Sequence, residues 1–225
     1  MEKIVDIKVI TLGDIGVGKT CILNRIKFGK FPEYVSTTLG VDFKYVKRKY
    51  KSKNITISLK FIDTQGQEGF QNSIPKQYIR DSQIVLFVFD SIATLKSLTQ
   101  RWYNIYKETT NIENSRFILV GNKSDIFGIE RDEILEKGEE FAEEINAHFI
   151  TCSAKCSDNM DNLERYIITE AKRFIDDEES KLKENNSNSN NNNNILFKNN
   201  NNNNNIIILS NSKNKILKNG CITKC

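Results

Sequence analysis

No apolar run in these 225 residues approaches the roughly 18 to 20 that a membrane helix needs, so any membrane contact has to be peripheral. Excess charge is scarce too. The 33 basic and 29 acidic residues leave a net charge of +4, too little to make a nucleic-acid surface by itself, and no nucleic-acid partner is expected. Histidine occurs once, at His148. Cys152 and Cys156 have a spacing that zinc could use, but no second ligand pair accompanies them, so a zinc site is not expected. The five cysteines are spread along the chain without a secretory leader, which fits a reducing compartment better than a disulfide framework. The cytosol is the expected setting.

What is present is organised around Gly13-Asp14-Ile15-Gly16-Val17-Gly18-Lys19-Thr20. This stretch satisfies G-x-x-x-x-G-K-[ST] at every fixed position and follows an apolar run, Ile4 to Leu12, that reads as a buried strand. Gly13, Gly16 and Gly18 let the backbone turn tightly, so that successive N–H groups converge on an anion while the next helix, opening with Cys21, points its positive end at it. Lys19 can reach the outer phosphates, and the Thr20 hydroxyl can ligate Mg²⁺. The alternative is a glycine-containing turn with an incidental Lys-Thr. The preceding strand and the complete pattern argue against it.

Beyond the loop, Cys21 to Phe28 suits a short helix, and Phe31 to Gly40 reads as an exposed loop. Val41 to Tyr50 and Ile55 to Ile62 alternate apolar with polar residues around a Lys51-Ser52-Lys53-Asn54 turn, as an antiparallel hairpin does. A polar, glycine-rich segment from Thr64 to Phe70 leads into a weak helix through Tyr78, interrupted at Pro75. Ile84 to Phe89 is uninterruptedly apolar, the mark of a strand buried on both faces. Helices over Thr94 to Glu108, Asp132 to Asn146 and Asn159 to Ile175 alternate with strands over Phe117 to Val120 and His148 to Thr151. Trp102, the lone tryptophan, is expected to serve packing. The pattern predicts a three-layer α/β fold with a mostly parallel sheet of about six strands, one antiparallel edge strand and helices on both faces. Ligands of such sheets sit at the carboxyl ends of the strands, where every polar cluster of this chain falls.

The remaining clusters choose the base. Asn122-Lys123-x-Asp125 follows a buried strand and places a carboxylate that can accept from the N1–H and the exocyclic amine of guanine, a donor pair adenine lacks. Lys123 can lay its aliphatic stem along the base. Ser153-Ala154-Lys155 can offer a backbone N–H to the guanine carbonyl.

In this order, these motifs resemble those of the small GTPases of the Ras superfamily, and of its Rab branch in particular, over Lys3 to Ile175. The Rab character lies in Ser36-Thr37-Thr38-Leu39-Gly40-Val41-Asp42-Phe43, Asp63-Thr64-x-Gly66-Gln67-Glu68, Tyr78-x-Arg80 and Trp102. The resemblance implies a P-loop GTPase fold and a switch that binds GTP and GDP with Mg²⁺, recruits effectors in vesicle trafficking and hydrolyses GTP slowly. It further implies that Thr20 and Thr38 complete the Mg²⁺ shell with Asp63 behind a water, that Gly66 senses the γ-phosphate, and that Gln67 orients the attacking water. Phe31 stands where the family sets an aromatic against guanine, and Thr38, Leu39, Gly40, Val41, Asp42 and Phe43 form the effector-reading stretch. Exchange factors and GTPase-activating proteins are the implied regulators.

The chain departs from the family at Ile15 (usually small), Ile62 (usually tryptophan), Gln65 (usually alanine) and Gly69 (usually arginine). These changes leave binding intact and bear on the hydrolysis rate, so a GTP-dependent scaffold that scarcely hydrolyses is the rival reading. An adenine-nucleotide ATPase or kinase would not need Asn122 and Asp125. Residues 1–175 are expected to form the GTPase domain, and 176–225 an asparagine-rich linker and tail without order of its own. The tail carries Lys213, Lys215, Lys218 and Lys224 and ends in Cys221-Ile222-Thr223-Lys224-Cys225, matching neither C-a-a-X nor a terminal Cys-Cys or Cys-x-Cys. Lipidation of Cys225 or Cys221, and attachment to the cytosolic face of a membrane, follow from the Rab resemblance.

Overall fold

The computed structural model describes residues 3–34, 40–64 and 76–189, with side chains as far as Lys183. Thr38, Leu39, Gly66, Gln67, Gln65, Gly69, Cys221 and Cys225 lie outside the described residues.

Six strands form one sheet in the order β2-β3-β1-β4-β5-β6. They are β1 (Lys3–Leu12), β2 (Val41–Tyr50), β3 (Ile55–Thr64), β4 (Ile84–Phe89), β5 (Arg116–Gly121) and β6 (His148–Thr151). All neighbours run parallel except β2, which pairs antiparallel with β3 from Val41↔Thr64 to Tyr50↔Ile55. The expected mixed sheet with one antiparallel edge is therefore what forms. The hairpin's second strand continues to Thr64, past the expected end at Ile62.

Helices cover both faces, as the uninterrupted burial of β4 requires. Ile84, Leu86 and Val88 join Val9, Ile22, Leu163 and Ile167 on the side of α1 (Lys19–Phe28) and the last helix. Val85, Phe87 and Phe89 join Leu12, Leu98, Trp102 and Phe141 on the other side. One strand thus supplies both cores through its period of two. Phe87 is fully buried, its ring 5.7 Å from that of Phe117 and 6.1 Å from that of Tyr106.

Four of the expected helices differ from expectation. The expected Thr94 to Glu108 helix is longer and interrupted: α3 (Ile92–Ser97) passes through a π-helical turn, Leu98–Trp102, into α4 (Tyr103–Thr109). Earlier in the chain the described part of α2 (Lys76–Ile79) is a single turn, and α5 (Arg131–Glu144) starts and stops a residue or two early. The last helix, α6 (Met160–Ser189), runs well past the expected end at Ile175. Its acidic run is held from outside the helix: Lys53 Nζ lies 2.6 Å from both Asp176 and Glu179, and Arg116 pairs with Asp177. No helix of the described residues is long and apolar enough to cross a membrane.

Candidate functional site

The site gathers at the carboxyl ends of β1, β3, β4, β5 and β6. From β1 the chain enters the phosphate loop with Gly13 at φ 148°, Gly16 at 80° and Gly18 at 95°, all in the region that favours glycine. Two of these glycines are also sterically required. A Cβ on Gly13 would stand 2.1 Å from the Val88 carbonyl oxygen, and one on Gly18 would stand 2.2 Å from Asn122 Nδ2. Gly18 then caps α1, whose first turn holds no side-chain cap. A helix N-terminus that no side chain caps is suited to an anion.

Lys19 is 5% exposed, and its ammonium donates to the carbonyl oxygens of Gly13 and Asp14, each at 2.8 Å. Burial pulls its pKa down to about 8, with Asp63 and Asp14 acting in the opposite direction. The loop's own carbonyls therefore keep this cation against the loop. Cys21 is buried one residue beyond Thr20, and Val17 is buried under the loop, whereas Ile15 stays 46% exposed at its rim.

Asn122, just past β5, ties the phosphate loop to the loop after β6. Its Nδ2 donates to the Val17 carbonyl at 2.8 Å, while its Oδ1 accepts from the Ala154 amide at 3.1 Å. Asp125 faces Ser153, whose hydroxyl donates to Asp125 Oδ1 at 2.6 Å. That bond fixes the carboxylate while leaving its other oxygen for a ligand. Lys123 sits at φ 63°, and its ammonium reaches Asp90 Oδ2, at the end of β4, at 2.6 Å. The Lys123 stem thereby reaches from the end of β5 to the end of β4. Ser153 and Ala154 are buried and Lys155 is exposed. Phe31, half-buried, packs on the core edge beside α1.

Asp63 ends the β3 side of the site with no exposure at all. Its Oδ2 accepts from Lys44 Nζ at 3.0 Å, and its Oδ1 is a buried oxygen without a hydrogen-bond partner among the described residues. Lys44 also donates to Asp42 Oδ2 at 2.7 Å. Burial alone would lower the Lys44 pKa, but its bonds to Asp42 and Asp63 outweigh that and raise it. On the outer strand β2, Val41 and Phe43 are half-buried, and the Phe43 ring lies 5.7 Å from that of Tyr78. Gly40, Val41, Asp42 and Phe43 thus line the sheet edge nearest the phosphate end.

The structure adds contacts that motif reading missed. Trp102 is buried as expected, yet its indole N–H donates to Asp14 Oδ1 at 2.7 Å, so it holds the phosphate loop as well as the core. Arg25 on α1 donates to the carbonyls of Ala154 and Lys155, each at 2.9 Å, and so braces the base-reading loop from below. Arg25 stands three and four residues after the buried Ile22 and Cys21, on the edge of the buried face of α1, and that placement was the one available signal for it. His148 pairs with Glu170 at 2.9 Å, and among the described residues no cluster of His, Cys, Asp and Glu is arranged to hold a metal.

Comparison with known proteins agrees with this geometry. The Ras family model matches residues 8–173. The Ras-related protein SEC4 of Candida albicans, in strains WO-1 and SC5314 / ATCC MYA-2876, is 35% identical over 158 residues, covering 69% of this chain and 72% of the relative. The six-stranded sheet with one antiparallel edge strand is consistent with the fold of that family. This chain therefore belongs to the Ras family as a Rab-like small GTPase, a switch in vesicle trafficking that binds guanine nucleotide and hydrolyses GTP.

Proposed function

We propose that the residues described above divide the work of this GTPase as follows. Gly13 to Thr20 and Cys21 cradle the phosphates, with Lys19 charging the seat. Asp125 accepts the two guanine donors, Asn122 locks the loops around them, Lys123 and Phe31 flank the ring, and Ala154 with its neighbours Ser153 and Lys155 meets the guanine carbonyl. The observation that carries this reading is the Asn122 bridge from Val17 to Ala154, because it ties phosphate and base recognition to one side chain.

Magnesium fits the donor set. Asp63 Oδ1 is a buried carboxylate oxygen lacking a partner, and a hard cation with oxygen ligands is the group such an atom suits. Thr20, Thr38 and, through water, Asp63 would hold it, where it would neutralise charge on the phosphates. Gln67 would orient the attacking water and Gly66 would sense the γ-phosphate. Gly40 to Phe43, with Thr38 and Leu39, would read effectors. The domain ends within or after α6, and lipid on Cys225 or Cys221 with the tail lysines would give peripheral attachment to the cytosolic face of a membrane.

Hydrolysis is slow in this reading, because Ile15 crowds the rim where Gln67 has to work. Family membership favours a hydrolysing switch over an inert scaffold. Single-turnover phosphate release from GTP-loaded protein tests this: slow release, accelerated by an activating protein, is expected. Release that no activator changes would favour the scaffold.

A further inference from the structure

Register places Asp42 on β2 directly opposite Asp63 on β3. Two carboxylates in such a pair repel, and a buried one is costly unless a cation answers it. Lys44, two residues along β2 and so on the same face, supplies that cation. Its ammonium stands 2.7 Å from Asp42 Oδ2 and 3.0 Å from Asp63 Oδ2. The three groups differ sharply in exposure, with side chains 7% exposed for Lys44, 0% for Asp63 and 60% for Asp42. The unpartnered Asp63 Oδ1 is the other oxygen of the same carboxylate.

We infer that Lys44 is a resident counter-cation of the metal site, which stabilises Asp63 when Mg²⁺ is away and lowers the affinity with which Mg²⁺ is held. This rests on the reading that Asp63 supports the metal. The argument is electrostatic. A cation fixed beside the supporting carboxylate, in surroundings with little water, repels a divalent ion arriving at that carboxylate's free oxygen far more than it would in bulk water. It also compensates Asp63 in the metal-free state, where otherwise only the more distant Lys19 would act on that buried charge. Both effects favour the metal-free state, so by linkage Lys44 weakens Mg²⁺ binding and eases nucleotide release. Asp42 has the opposite influence, since it draws off part of the Lys44 charge. A residue in the effector-reading stretch is thereby joined to the metal site through one ammonium.

The test follows release of a fluorescent GDP analogue from the full chain, chased with excess GDP, over a titration from chelator to millimolar Mg²⁺. Wild-type release should slow as Mg²⁺ rises, with a defined midpoint. Lys44→Met should move that midpoint down on the order of tenfold, with the rate in chelator unchanged. Lys44→Arg should keep the wild-type midpoint. Asp42→Asn should move it up, and because Asp42 is exposed this variant strands no buried group and decides the matter should Lys44→Met not fold. A structural role for Lys44 alone would alter stability without ordering the midpoints in this way. A midpoint in Lys44→Met equal to or above wild type, or one in Asp42→Asn equal to or below it, overturns the inference. Wild-type release indifferent to Mg²⁺ would overturn the metal reading itself, and the role of Lys44 with it.

Discussion

The indole N–H of Trp102 donates to Asp14 Oδ1 at 2.7 Å, and the Ser97 hydroxyl donates to the same oxygen at 2.8 Å. Asp14 is 4% exposed, so the helix that carries these donors answers a buried carboxylate in the phosphate loop. The π-helical turn at Leu98–Trp102 adds a residue to the local turn and so resets the direction of Trp102, a device found often near functional sites. Trp102→Phe removes the donor and, at a side chain 3% exposed, also leaves part of the indole's space unfilled. It should lower stability by about 2 kcal/mol in urea unfolding and weaken GDP binding. A variant as stable as wild type would mean that the bond contributes nothing net.

Gly18→Ala should be far more damaging than its size suggests. The backbone sits at φ 95° and the new methyl would stand 2.2 Å from Asn122 Nδ2, breaking the bridge to Val17. Strain on the order of 3 kcal/mol corresponds to roughly a hundredfold in affinity. Equilibrium titration with GDP would measure it, and affinity within a few-fold of wild type would contradict the geometry of the loop.

Thiol chemistry should separate the described cysteines. Burial first, and then Asp158, pushes Cys152 up to about 12, whereas Cys156 is exposed. The thiolate is the reactive species, so in native protein near neutral pH iodoacetamide should modify Cys156 and spare Cys152 until the chain unfolds. Peptide mapping by mass would report it. Equal modification of both in folded protein would show that the strand end is open.

Ile15 is 46% exposed at the rim of the phosphate loop, and its β-branched side chain has few rotamers with which to withdraw. Ile15→Ser should therefore raise activator-stimulated hydrolysis, by up to about a hundredfold if an ångström of misplacement is relieved, and leave GTP affinity nearly unchanged. Phosphate-release rates of the two proteins under one activator make the comparison, and equal rates would remove crowding as the cause of slowness.

The strands, the glycine-rich loop and the polar clusters at the strand ends were legible in the sequence because each is local: an apolar run ends, and the polar residues that follow lie at a sheet's edge. What escaped it depends on partners distant in sequence. Asp176 to Glu179 reads as a solvated acidic run, yet Lys53 from the hairpin and Arg116 from β5 neutralise it and the helix continues. Trp102 reads as a core residue, and only the π-helical turn brings its N–H to Asp14. Arg25 sits on a helix face like any surface basic residue until β6 delivers the Ala154 and Lys155 carbonyls to it. Lys44 looks like one more lysine in a basic strand, and burial beside Asp63 is a property of strand pairing alone.

Guanine selectivity through Asp125 is the center of the account, and competition against a fluorescent GDP analogue tests it most directly. Ser153 holds one Asp125 oxygen at 2.6 Å and so fixes the orientation of the carboxylate. In wild type, GTP should displace the probe and ATP should not at comparable concentration. Asp125→Asn should cost GTP at least about a hundredfold while leaving the weak ATP competition unaltered, because the guanine donors lose their charged acceptor and adenine never used it. Unchanged GTP affinity in Asp125→Asn would contradict the assignment of the base site.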